Sequence, residues 1–99
     1  MNKVKSPKKS DIIILEGVAG IDNALAIKDQ LVNAVNHNHT VEINVERLEN
    51  ADIAVLQLLY ATFQHCAQIN KSFKIYSGNN QVFKSILRNS GYADFFQLD

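Results

Sequence analysis

The chain has 99 residues, 46% of them apolar, which suits one compact domain burying roughly two-thirds of its unfolded surface and leaves little area for a deep private active site. Its ten basic and ten acidic side chains cancel, but Lys3, Lys5, Lys8 and Lys9 crowd into the first ten residues, so the rest carries six basic against ten acidic groups, about −4. This pattern lacks the basic face with aromatic readers of a nucleic-acid-binding domain; one cysteine, Cys66, rules out an intrachain disulfide; and no apolar run approaches the roughly 20 residues of a bilayer span, so a soluble cytoplasmic protein without direct membrane insertion is expected.

Residues 1–10, MNKVKSPKKS, have little to bury and read as a basic flexible tail, with one domain over 11–99. Ile12 to Leu15 form a short branched run that suits a strand buried on both faces. Gly17 and Gly20 bracket a turn and a very short second strand. Asp22 or Asn23 can cap a helix running to about Asn36, with Ala24, Ile27, Leu31, Ala34 and Val35 as its inner stripe. Residues 36–40 are a polar connection. Val41, Ile43 and Val45 then alternate with Glu42, Asn44 and Glu46, a period-two strand.

A polar loop follows, and Asp52 stands where loop becomes helix. The second helix runs from about Ile53 to Ile69, with Leu56, Leu59, Phe63, Cys66 and Ala67 facing inward, and Asn70-Lys71 ends it. Phe73, Ile75 and Tyr76 give another strand, closed by Ser77-Gly78. Asn79 or Asn80 can cap a third helix whose apolar face is Val82, Phe83, Ile86 and Leu87, and Gly91 is a stop signal. Asp94 to Leu98 form a final short element in which Phe95 and Phe96 cover an end of the core. The alternation of strands and helices predicts an α/β fold with parallel neighbours joined by crossovers.

Chemistry-bearing side chains are sparse. His65-Cys66 would be a nucleophile and base only if they met, and adjacent helical residues point about 100° apart. Cys66 on the inner stripe reads as a small hydrophobe. His37 and His39 have no Cys/His cluster of zinc spacing around them. There is no GxxxxGK[ST] loop, and residues 76–80 at a helix start could hold an anion or simply make a turn. The expectation is a non-enzyme without metal or cofactor.

The stretch Ile43 to Tyr60, INVERLENADIAVLQLLY, is where function concentrates, because first-turn N–H groups at a strand–loop–helix junction lack intrahelical acceptors. Asp52-Ile53-Ala54-Val55-Leu56, continued by Gln57-Leu58-Leu59, resembles the central motif of STAS domains, the fold of the bacterial anti-sigma factor antagonists. Lys71-Ser72-Phe73, Ser77, Phe83, Ile86-Leu87, Gly91-Tyr92 and Gly17 extend the resemblance over about residues 11–97. It implies a mixed, mostly parallel sheet of four to five strands with helices mainly on one face. It also implies a non-catalytic protein-binding module in bacterial signal transduction, chemotaxis-associated or of the anti-sigma factor antagonist type. A partner would be a signalling protein such as a kinase or anti-sigma factor. The alternative is an accessory subunit of a membrane transport ATPase, such as a lipid transporter.

Two departures follow from the same resemblance. The family's phosphorylatable Ser or Thr is Ile53 here, which has no oxygen to accept a phosphoryl group, and the strand's usual Asp is Asn44. A phosphate at the helix start would add about two negative charges. Ile53 instead leaves a neutral apolar position, so regulation would fall to concentration, competition or the partner's own state. Exposed, Ile53 would extend a binding edge whose complete burial could contribute roughly 1.5–3 kcal/mol; turned inward, it would be ordinary core. Asp52 caps the helix, supports the loop or meets a partner donor. Tyr60 shares a face with Gln57 and Gln64 or is a half-buried helix residue. The candidate partner surface is Asp52, Ile53, Ala54, Gln57 and Tyr60, which would also serve a homodimer.

Overall fold

In a computed structural model that describes residues 12–94 and 96, five strands and three helices alternate: β1 (Ile13–Ile14), β2 (Gly17–Ala19), α1 (Ala24–His37), β3 (Thr40–Asn44), β4 (Leu48–Ala51), α2 (Ile53–Gln68), β5 (Ser72–Tyr76) and α3 (Gln81–Ser90). A 3₁₀ turn, Ile21–Asn23, leads into α1. The basic tail and most of the expected element over 94–98 lie outside the described residues; Phe96 is described and is buried.

The α/β class stands, with a different distribution of strands from the single sheet expected. β1, β3 and β5 make one sheet in the order β1-β3-β5, while β2 and β4 make a second. Every pairing among the described residues is parallel, so the mixed directions expected are not found there. The two sheets are successive halves of one pair of bent chain paths. Leu15 N–H donates to the Asn44 carbonyl at 3.0 Å, and Gly17 N–H to the Arg47 carbonyl at 3.1 Å, so β1 hands over to β2 just where β3 hands over to β4. The bend falls at Gly17, whose φ of 68° is costly for a residue with a Cβ, and the β2–β4 register shifts between Gly17 and Val18.

The alternation on β3 decides what covers the larger sheet. Val41 and Ile43 are fully buried, and Ile43 is in register with Ile13 on one side and Ile75 on the other. Glu42 and Asn44 face the other way with Ile14, Lys74 and Tyr76. The Tyr76 hydroxyl donates to Glu42 Oε2 at 2.6 Å, closing that side of the ladder. α1 packs on β3, α2 on β5, and the two helices lie against each other, while α3 packs on β4.

β4 is the strand that the sequence hides. Its Leu48 and Ala51 are buried while Glu49 and Asn50 between them are exposed, so it shows no period of two. Its partner is β2, far back in the chain, and the register shift breaks the alternation. The helix stops are better marked. Asn70 at φ 61° ends α2, with Lys71 N–H returning to the Cys66 carbonyl at 2.8 Å. Gly91 at φ 87° ends α3, with Tyr92 N–H returning to the Leu87 carbonyl at 2.9 Å. The Lys71 ammonium donates to the Val35 carbonyl in the last turn of α1, where the helix dipole favours a cation.

Candidate protein-binding surface

Asp52 joins two loops. Its backbone is extended (φ −90°, ψ 176°), its N–H donates to the Ala19 carbonyl at 3.1 Å, and its Oδ1 accepts the Val55 N–H at 3.3 Å, which caps α2. Oδ2 accepts the Ile21 N–H at 2.9 Å. That second bond fixes the 3₁₀ turn before α1 to the first turn of α2. Gly20 permits the approach, since a Cβ there would stand 3.0 Å from Oδ2. Asn23 tightens the same turn: its Oδ1 accepts the Gly20 N–H at 2.7 Å instead of capping α1.

Around this clamp the surface is apolar. Ile53, first residue of α2, is 51% exposed, which decides between the two readings of it in favour of the surface. Ile21 is 75% and Leu25 71% exposed. Between the starts of α1 and α2 lies an open trough of about 440 Å³ lined by Ile21, Ala24, Leu25, Lys28, Ala54, Gln57 and Leu58. Four of the five residues expected at the site are therefore neighbours at one end of α2: Asp52, Ile53, Ala54 and Gln57.

Tyr60 is not with them. It is half-buried, with ring centroids 5.7 Å from Tyr92 and 6.2 Å from both Phe63 and Phe96, and its hydroxyl accepts from Gln64 Nε2 at 3.2 Å. This aromatic cluster closes the C-terminal half of α2 over Phe73. The half-buried reading of Tyr60 describes its position.

Sequence reasoning missed the contribution of α1. Ile21, Leu25, Lys28 and Val32 recur every three or four residues on a face distinct from the inner stripe of Ile27, Leu31, Ala34 and Val35. A second apolar line on a surface helix was the available signal. The other candidates have structural partners. Asn44 Oδ1 accepts the Glu46 N–H at 2.9 Å and shapes the β3–β4 turn. Ser77 is 1% exposed, out of reach of a modifying enzyme in the folded state. Cys66 is fully buried, and burial pushes its thiol above the ordinary range while nearby Lys71 pulls the other way. Among the described residues no three His, Cys, Asp or Glu side chains are grouped to hold a metal, and no helix is long and apolar enough to cross a membrane.

A parallel α/β fold of this kind, here with Asp52 capping an apolar helix, has counterparts among known proteins. The sequence model of a family described as Mlab, STAS domain, matches residues 2–98. The chain belongs to the STAS family. Its fold is also that of a solved structure, a Thermotoga maritima protein proposed to be an anti-sigma factor antagonist: TM-score 0.67, 17% identity, 89% of this chain and 78% of that one covered. No curated protein matches the chain. In this STAS domain the clamp residue Asp52 directs its carboxylate inward onto two N–H groups, and the exposed chemistry beside it is aliphatic.

Proposed function

We propose that the chain is a non-catalytic protein-binding module, and that it meets its partner through the start of α2: Asp52, Ile53, Ala54 and Gln57. The observation that carries this reading is the exposure of Ile53 at the first helical position, next to Ala54, which lines the apolar trough between α1 and α2. Exposed branched side chains gathered at one end of a small domain mark an interaction surface. Asp52 is the positioning residue of that surface, because its two hydrogen bonds set the trough's walls relative to each other. The setting is a bacterial signalling pathway in the cytoplasm, of the partner-switching kind suggested by the neighbour's name or associated with chemotaxis, with a kinase or an anti-sigma factor as partner.

Ile53 stands where the motif frame carries a phosphorylatable hydroxyl in regulated members, so this surface is not switched by phosphate at that position. The partner's concentration or state sets occupancy instead. The test is affinity capture from the native host with wild type and Ile53→Asp side by side, read by mass spectrometry. A signalling partner held by wild type and lost by the variant is the expected result. Retention of every partner by a folded Ile53→Asp variant overturns the assignment of the surface. Recovery of an ATP-binding transport subunit instead assigns the chain as an accessory subunit of a membrane transporter, and recovery of only the chain itself assigns a homodimer.

A further inference from the structure

Lys28 sits where two apolar troughs meet. The first is the 440 Å³ trough between the starts of α1 and α2. The second, about 250 Å³, continues along the same helix pair over Leu31, Val32, Val35, Leu58 and Ala61, and Lys28 lines both. Leu25 is 71% and Val32 48% exposed on either side of it. Among the described residues the Lys28 side chain has no ion pair and no hydrogen bond, and the Asp52 carboxylate is engaged with the Ile21 and Val55 N–H groups.

An ammonium group in this position decides what can cover it. Free in water it is fully solvated. A partner that filled both troughs with apolar groups alone would strip that solvation and leave an unpaired cation at the centre of the contact, a large penalty. A partner that brings a carboxylate to the centre and apolar groups to both sides offsets the loss and fills the troughs. Leu25 and Val32 are seven residues apart, a span of about 10.5 Å along the helix, with Lys28 between them. A second helix matches that span when an acidic residue is flanked one turn away on each side by an apolar one. A single-chain amphiphile, with its charge at one end, fits a central cation less well.

We propose that the partner enters the α1–α2 troughs as an amphipathic helix, with an Asp or Glu paired to Lys28 and apolar anchors on Leu25 and Val32. This deepens the protein-binding reading above and rests on it. Lys28 is then a specificity determinant: it rejects basic or wholly apolar helices that would otherwise fit.

The probe is a pair of synthetic alanine-based helical peptides of about 18 residues, long enough to be partly helical alone. One carries Leu, Glu and Leu at positions i−3, i and i+4; the other has Lys in place of that Glu. Each is titrated into isotope-labelled wild type and Lys28→Glu and followed by backbone amide shifts. The Glu peptide is expected to shift the Leu25, Val32, Leu58 and Ala61 signals and to bind about tenfold more tightly than the Lys peptide, with the preference reversed in Lys28→Glu. Equal affinity for the two peptides overturns the proposal, as does a preference unchanged in Lys28→Glu or the absence of shifts along the troughs at millimolar peptide. Saturation of the troughs by dodecanoate below its micelle concentration, blocking the Glu peptide, overturns it in favour of an amphiphile. Self-association of the free chain through Leu25 and Val32, seen in sedimentation equilibrium, overturns it in favour of a second copy. The titration reads the troughs alone, so its failure leaves a capture result at Ile53 standing, and the reverse holds equally.

Discussion

Two carboxylate oxygens on Asp52 serve two separate loops, and that division can be measured. Oδ1 holds the Val55 N–H and Oδ2 the Ile21 N–H. Asp52→Ala leaves both donors to water and should cost about 2 kcal/mol, discounted from two full bonds because the residue is solvent-accessible. Asp52→Asn keeps one acceptor but turns an NH₂ group toward the other N–H, so it should cost about 1 kcal/mol. Urea midpoints at constant slope give both values, and equal losses for Ala and Asn would mean that only one of the two bonds matters. Cys66 gives a second test at this scale. Burial raises its thiol pKa above the ordinary value of 9.0, so the unfolded state loses its proton first. Any stability from the buried thiol is therefore complete below about pH 9 and declines as pH rises through the folded value. Native Cys66 should react with a thiol reagent only as fast as the domain opens, and rapid labelling at pH 8 without loss of structure would contradict its burial.

At the scale of elements, Asn80 does for α3 what Asp52 does for α2, with the opposite hydrogen-bond sense added. Its Oδ1 accepts the Phe83 N–H at 3.1 Å, while Nδ2 donates to the Val45 carbonyl at 2.7 Å and the Leu48 carbonyl at 2.9 Å. The cap thus ties α3 to the turn between β3 and β4. Asp ranks with Asn as an N-cap. Here Asn80→Asp would aim an anionic oxygen at two carbonyls, so it should destabilise by at least the roughly 2–3 kcal/mol expected of Asn80→Ala. Thermal or urea unfolding showing Asn80→Asp near wild type would reduce Asn80 to a simple cap. The same elements show what could be read in advance. α2 and α3 are written locally, in the caps Asp52 and Asn80, the stops Asn70 and Gly91, and stripes at helical spacing. β4 is not, because the buried Leu48 and Ala51 enclose two exposed residues and their strand partners, Gly17 and Ala19, are distant in the chain. The exposed end of the site was legible at Asp52–Gln57 because it lies in one run of sequence. Tyr60 misled because its helical position places it with Ile53, while Tyr92 and Phe96, distant in the chain, draw its ring to the other flank. The second line on α1 went unread because an inner stripe had already accounted for that helix.

At the scale of the molecule, α2 is the axis on which stability and the proposed binding separate. Its inner face, Val55, Leu56, Leu59 and Cys66, lies in one continuous core with β1, β3, β5 and the β2–β4 pair. Its C-terminal half is closed by the ring cluster of Tyr60, Phe63, Phe73, Tyr92 and Phe96, where Phe96 lies 6.0 Å from Phe63 and 6.3 Å from Phe73. The outer side of its first turn, at Ile53 and Ala54, is open and apolar. Phe96 reaches this core from beyond α3 and is 8% exposed, so Phe96→Ala should cost about 3 kcal/mol or more. Because both sheets share that core, the loss should appear as one cooperative shift, with far-UV circular dichroism and tyrosine fluorescence coincident in urea. Ile53→Asp should behave oppositely. Half of its side chain is already in water, and a carboxylate at the first helical position gains from the helix dipole, so stability should change by less than about 1 kcal/mol. A Phe96→Ala variant whose two probes separate would mean that the aromatic end unfolds apart from the sheets. An Ile53→Asp variant as unstable as Phe96→Ala would make Ile53 a core residue, and its loss of a partner would then report unfolding. With the expected contrast, loss of a partner by Ile53→Asp reports the proposed binding surface at the open end of α2 and not unfolding.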